Sequence, residues 1–266
     1  VNKMIEITSA KNPTIKEIKT LYKRKNRWEH NLFIIEGIKI IDESISNNID
    51  IKYMVYTDKL LNTKEGVEFF QRIKDRKELI KVDDSIFKEI CDTDNPQGIL
   101  AIARFKERSL KNIYELNRPF LLFLDKLQDP GNLGTIIRTA DAFNIDGIIL
   151  GKGSVDPYNP KVVRSTMGSI FRVPLYFCEN TLECLGNVKN HGIEIIATSL
   201  KGVPIYNADF GKGFVLVIGN EAKGVSDDIS SIASRSIKIP MPGGSESLNA
   251  GVAASIIMYE AMRCRS

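Results

Sequence analysis

Three short stretches hold polar residues that could together make a site. They are Asn132 and Arg138 in NLGTIIR (132–138), Asn220 and Glu221 in GNEAKGVS (219–226), and Ser247 and Asn249 in PMPGGSESLN (240–249). These are amides, a hydroxyl, one carboxylate and one guanidinium, groups that give and take hydrogen bonds. With only His30 and His191 in the chain, imidazole-based metal or triad chemistry is poorly supplied. The four cysteines (Cys91, Cys178, Cys184, Cys264) form no C-x-x-C pair and no zinc spacing, so no metal site is expected. GKGSVD (151–156) and GKGFVL (211–216) both lack the third glycine of a dinucleotide fingerprint, and no G-x-x-x-x-G-K-[ST] occurs. Each candidate also has a plain structural reading. Asn132 can cap a helix over 133–143, Arg138 can join a surface ion pair, Ser247 can cap a helix over 248–263, and Glu221 can be an ordinary loop acid. Their common place at the mouths of neighbouring strands is what suggests a site.

The elements that must position them are legible from Pro119 onward. Apolar strands at 120–125, 147–150, 174–178, 193–199, 214–219 and 236–240 alternate with helix-length segments, which predicts a parallel sheet covered by helices on both faces. In such sheets ligands bind beyond the carboxyl ends of the strands. DKLQDPGN (125–132), TSLKGVP (198–204), GNEAKGVS and PMPGGSESLN are the loops placed there. A first α/β domain is expected over 1–105, with strands at 32–37, 51–56, 78–82 and 98–105. A polar linker follows at 106–117, and the second domain runs from 118 to 266.

At 266 residues the chain can bury a real core, and its 43% hydrophobic and 26% charged content is that of a soluble globular protein. No apolar run reaches the eighteen or so residues of a membrane span, and VNKMIEITSAKNP offers no secretory signal, so a reducing, cytoplasmic setting is expected. The net charge of +4 is small, but its distribution is uneven. KNPTIKEIKTLYKRKNR (11–27) holds seven basic residues against one acid. Asn12 and Pro13 read as the N-cap and first position of a helix, with Ile15, Ile18, Leu21 and Tyr22 on its apolar face. Lys16, Lys19, Lys23 and Arg27 form another stripe of that helix, placed either to track RNA phosphates or to face solvent.

With those residues in place, the chain resembles the SpoU family of ribose 2'-O-methyltransferases, within the SPOUT superfamily. NLGTIIR matches the family's first motif, N-x-G-x-x-x-R. LVIGNEAKGVS (216–226) matches the second, and IKIPMPGGSESLNAGVAASIIMYE (237–260) the third, with Ala250 where valine is commoner. ITSAKNPTIKEIKTLYKRKNRWEHNLFIIEGIKIIDESI is similar to the substrate-binding domain of many members, itself like RNA-binding ribosomal proteins.

The resemblance implies a C-terminal parallel sheet tied into a deep trefoil knot by residues 214–266, and a smaller N-terminal α/β RNA-binding domain. It implies S-adenosylmethionine as cofactor, held by Thr198, Ser199 and Leu200, by Gly219 and Asn220, by Ile239 and Met241, and by Ser247 and Leu248. The reaction implied is methyl transfer to a ribose 2'-hydroxyl in structured RNA, ribosomal RNA ahead of transfer RNA. Arg138 would handle the proton, with Asn132, Glu221, Ser247 and Asn249 positioning it. Since arginine keeps its proton in almost any site, an electrostatic role for Arg138 stands beside that of a base. The family also implies a two-fold dimer through the last helix, in which Arg138 reaches the partner's cofactor. Two readings compete: an RNA-binding protein on the same fold without catalysis, against which the intact polar set argues, and an α/β enzyme with a different nucleotide cofactor, against which the missing glycine fingerprint argues.

Overall fold

The computed structural model describes residues 5–265. By its internal contacts the chain forms two units. One comprises the described chain up to Lys106 together with Asp156–Phe171, and the other Glu107–Val155 together with Arg172 onward.

The first unit opens with β1 (Ile5–Ile7), α1 (Pro13–Thr20), α2 (Arg24–His30), β2 (Leu32–Glu36) and α3 (Ile38–Ser46). It continues through β3 (Ile51–Tyr56), α4 (Lys64–Ile73), β4 (Leu79–Val82), α5 (Asp84–Ile90) and β5 (Ile99–Arg104). The strands lie in the order β1-β4-β3-β5-β2, with β5 antiparallel to β2 and β3 and the other pairings parallel. Asn12 caps α1 as its sequence suggests, accepting from Thr14 N at 2.9 Å with Pro13 at the first helical position. The expected single helix over 12–27, however, is two. α1 stops at Thr20, and α2 starts after Lys23, so Lys16 and Lys19 do not share a stripe with Lys23 and Arg27.

The second unit runs α6 (Lys111–Tyr114), β6 (Phe120–Leu124), α7 (Pro130–Ala142) and β7 (Gly147–Gly151). Next comes α8 (Pro160–Thr166), which belongs to the first unit. The second unit resumes with β8 (Leu175–Cys178), α9 (Thr181–Asn190), β9 (Glu194–Pro204), β10 (Phe214–Ile218), α10 (Asp227–Ile232), β11 (Arg235–Lys238) and α11 (Ala250–Arg265). Its six strands are all parallel, in the order β11-β9-β10-β6-β7-β8. β6, β7 and β10 are buried at every position, as strands covered on both faces must be. The segment expected as a polar linker contributes Ile113, fully buried, to this unit's core.

Side chains tie residues 156–171 into the first unit. Arg27 is 2% exposed, and its guanidinium donates to Asp156 Oδ2 from Nε at 2.8 Å and from Nη2 at 2.5 Å. Its Nη1 donates to the carbonyls of Leu21 and Tyr22. Arg27 is therefore a buried structural cation and is unavailable to RNA, contrary to its expected place in a phosphate-tracking stripe. Tyr158 stacks on Phe105 at 3.9 Å between ring centroids, and Arg164 donates to Asp92 at 2.8 Å.

Candidate active site

The four loops singled out in the sequence lie on β6, β9, β10 and β11, which are neighbours in the sheet. One of them does not follow its strand. β9 pairs with β11 through Ile196–Ala197 and again through Val203–Pro204, so the intervening residues leave the ladder as an excursion within the strand. Thr198 Oγ1 anchors its start on Val217 O at 3.0 Å. A Cβ on Gly202 would lie 2.5 Å from Ile237 N, so only glycine lets the two backbones close again.

The loops of β9, β10 and β11, with α11, line a cavity of about 610 Å³ in the second unit, within the range of a small-molecule site. Every residue named from the resemblance as a cofactor contact lines it: Thr198, Ser199, Leu200, Gly219, Asn220, Ile239, Met241, Ser247 and Leu248. Ile218, Ile237 and Ile257 add apolar wall. An apolar slot edged by loop backbone suits an adenosine with a thioether-like tail, so the residues present fit S-adenosylmethionine. The reason Gly219 must be glycine differs from its expected contact with the ligand. A Cβ there would lie 2.1 Å from the Gly224 carbonyl carbon and 2.2 Å from Val225 N, so glycine is needed for the loop to fold back on itself.

The polar residues divide. α7 begins three residues earlier than expected: Asp129 is its N-cap, accepting from Asn132 N at 2.7 Å, with Pro130 at the first position. Asn132 is thereby free of the capping role and turns its side chain to the second motif, donating from Nδ2 to Glu221 Oε1 at 3.1 Å. Glu221 also accepts from Asp129 N at 3.0 Å and from Gln128 N at 3.2 Å. Burial raises the Glu221 pKa, but the N–H groups of Asp129 and of Glu221 itself, the Asn132 amide and the Gln128 N–H together hold it below the ordinary glutamate value. Asn220 locks the same turn. Its Oδ1 accepts from Ala222 N and Lys223 N, and its Nδ2 donates to Lys126 O at 2.8 Å.

Ser247 lines the cavity but caps no helix. α11 starts at Ala250, and Asn249 caps it, accepting from Gly251 N at 3.0 Å and Val252 N at 3.2 Å. Arg138 stands on the exposed side of α7, and no hydrogen bond or ion pair engages it among the described residues. Lys19 pairs with Glu89, which leaves Lys16 and Lys23 as the exposed, unengaged members of the basic set. Sequence reasoning missed Asp125, 3% exposed, whose Oδ2 accepts from Ser226 N at 2.8 Å and ties the loop after β6 to the loop after β10. An acid at the end of a wholly apolar strand was the available signal. It also missed Lys201, Lys223, Lys238 and Asp227, all on the cavity wall. No cluster of histidine, cysteine or acidic residues that could hold a metal occurs among the described residues.

A parallel sheet with a cavity of cofactor size across the carboxyl ends of adjacent strands defines an α/β protein with a small-molecule site. Comparison with known proteins makes this specific. Residues 119–259 match the SpoU rRNA methylase family, and residues 12–101 match the MRM3-like substrate-binding domain. The chain is similar to the 23S rRNA (guanosine(2553)-2'-O)-methyltransferase RlmP of Bacillus subtilis (strain 168), with 32% identity over 96% of this chain and 98% of that one. It is 29% identical to the 23S rRNA (uridine(2479)-2'-O)-methyltransferase of Streptomyces viridochromogenes, over 91% of this chain and 86% of that one. Among solved structures it is similar to the AdoMet-bound rRNA methyltransferase of Sinorhizobium meliloti, with 33% identity, a TM-score of 0.85 and 98% of each chain covered. The chain belongs to the SpoU rRNA methylase family. The family is one of RNA methylases.

Proposed function

We propose that this enzyme methylates the ribose 2'-hydroxyl of one nucleotide in ribosomal RNA, acting in the cytoplasm as a homodimer. The observation that carries this reading is the Asn132–Glu221 hydrogen bond, which joins the first and second motifs at the cavity edge. Bound in the cavity, S-adenosylmethionine would supply an electrophilic methyl group on its sulfonium. The chain's own task is then to orient the ribose and stabilise its oxygen as the proton leaves. Glu221 is committed to holding the loop after β6 and Asn249 to capping α11, so both act by positioning. Ser247 is on the wall, where its hydroxyl can meet substrate or cofactor. Arg138 carries a permanent cation with no partner of its own, which suits it to a developing alkoxide or a phosphate.

The dimer is supported by the last helix. Val252, Ile256 and Tyr259 of α11 are 46%, 37% and 50% exposed and fall on one side at helical spacing, an apolar stripe without a cover. Unengaged Arg138 on α7, the helix that α11 packs against, is consistent with a residue serving a partner's site. The knot expected from the family is supported by the course of the chain, which passes from β10 beyond β9 to β11 and then returns to α7. Exposed Lys16 and Lys23 with Arg24 and Lys25 support RNA binding by the first unit.

Mapping 2'-O-methyl positions in total RNA from a deletion strain against its parent tests the reading. Loss of one rRNA methylation, restored by the wild-type gene, is expected. An unchanged rRNA pattern with a lost tRNA methylation would move the substrate class, and no change in either would return the protein to RNA binding without catalysis.

A further inference from the structure

The side chains of two lysines on the cavity wall have no part in the interactions described so far. Lys201 lies in the excursion of β9 and Lys223 in the turn after β10. Both are exposed, and no carboxylate pairs with either among the described residues. Their backbones are fixed even though their side chains are unpaired. Lys201 N donates to Ser199 Oγ at 3.2 Å, and Lys223 N donates to Asn220 Oδ1 at 3.2 Å. Around Lys223 the turn is closed by mutual bonds between Asn220 and Gly224 of 3.0 and 2.9 Å. These are cations presented from rigid supports.

Their charge is not explained by the cofactor. S-adenosylmethionine has a sulfonium, an ammonium and one carboxylate, so it is itself a net cation, and added positive charge around it is unfavourable unless an anion is also present. A half-buried third lysine, Lys238, is on the same wall and can already face that one carboxylate. The wall acids do not balance the set: Glu221 is occupied by N–H donors, which leaves Asp227. An RNA strand presented to this cavity would bring the missing anions, since a target ribose has a phosphate on each side.

We propose that Lys201 and Lys223 form a phosphate clamp that holds the RNA backbone flanking the target ribose at the cavity. This rests on the methyltransferase reading above. The clamp positions the strand without reading its sequence, leaving the choice of nucleotide to other contacts.

The test uses the full-length protein, wild type and the Lys201→Glu/Lys223→Glu double variant. S-adenosylmethionine binding is followed by calorimetry, and binding of a 23S rRNA transcript is measured between 50 and 200 mM salt. The expected result is an RNA affinity about tenfold lower and a log–log salt slope shallower by about one to two units, one per lost phosphate contact. Cofactor affinity should be kept or rise, because the charge removed has the cofactor's own sign. The neutral Lys201→Gln/Lys223→Gln variant should shift the slope in the same direction, which separates lost contact from introduced repulsion. An unchanged slope in both variants overturns the clamp. So does a loss of cofactor affinity at constant slope, which would assign the lysines to the cofactor carboxylate. Failure of the wild type to bind S-adenosylmethionine would instead defeat the methyltransferase reading, whatever the lysines do.

Discussion

Arg138 and Glu221 make opposite demands on their surroundings. Arg138 is exposed and unengaged, so Arg138→Ala should leave thermal stability within about 0.5 kcal/mol, as surface substitutions away from packing do. Methyl transfer should nonetheless drop by about a hundredfold or more, the usual scale for removing an electrostatic stabiliser. Parallel melting curves and single-turnover assays check this, and a matched fall in stability would make the arginine structural. Glu221 works as a carboxylate that gathers three donors from the loop after β6. Its pKa is lower in the folded protein than in the unfolded chain. Its stabilising contribution is therefore complete above the ordinary glutamate value, about 4.3, and is lost as pH falls through the lower folded value. Glu221→Gln should remove that part of the acid-side decline, seen as a shallower loss of stability between about pH 5 and pH 3. An unchanged acid limb would mean that the three donors do not depend on the charge.

At the level of elements, the strands of the second unit were plain in the sequence because a run such as Phe120–Leu124 has no polar residue to place in water. The excursion inside β9 was not legible, since TSLKGVP looks like any turn after a strand and only pairing with β11 shows that the strand resumes. Arg27 misled for a related reason. A basic residue in a basic run reads as exposed, and its buried partner Asp156 lies 129 positions away. By contrast, every position expected from the family resemblance to hold the cofactor lies on the cavity wall. The α7–α11 contact was only half legible: Ala250, Gly251, Ala253 and Ala254 permit close packing, but nothing in the sequence names the partner helix. Gly251 faces Thr135, where an added Cβ would lie 3.2 Å from the threonine Cβ, and Ser255 Oγ meets Thr139 Oγ1 at 2.9 Å. Gly251→Ala should be accommodated by a small shift, whereas Gly251→Leu should separate the helices at a cost of about 1–3 kcal/mol. Chemical denaturation of both variants distinguishes these outcomes, and equal stability would show that the contact gives way freely.

For the whole molecule, the proposed trans role of Arg138 and the nested chain course each have a measurable result. Gly219→Val, which forces the loop after β10 away from Gly224, should remove cofactor binding. Arg138→Ala and Gly219→Val chains, each inactive alone, should regain about a quarter of the wild-type sites when unfolded, mixed equally and refolded, as half the dimers are then mixed with one intact site each. If mixed dimers form and stay inactive, Arg138 serves its own chain. Residues 1–106 alone should fold poorly, because they leave Arg27 buried without Asp156 and the Phe105 ring without Tyr158. Stranding such a charge costs about 3–5 kcal/mol, a large part of the stability of a small domain. Joining residues 156–171 by a flexible tether should restore a cooperative melt, and a cooperative melt without them would mean that the unit closes on its own.

The chain passes between the two units at Lys106/Glu107, Val155/Asp156 and Phe171/Arg172. Drawn apart by its ends in an optical trap, the molecule should show the trace of that threading. If the first unit gives way while the second holds, the sixteen residues of 156–171 come loose as a loop pinned at both ends, and they add nothing to the extension. The rip should then fall about 5 nm short of the contour length of all the residues released, at roughly 3.4 Å per residue. The missing length should appear only in the second rip, when the sheet of the catalytic unit opens and sets the loop free.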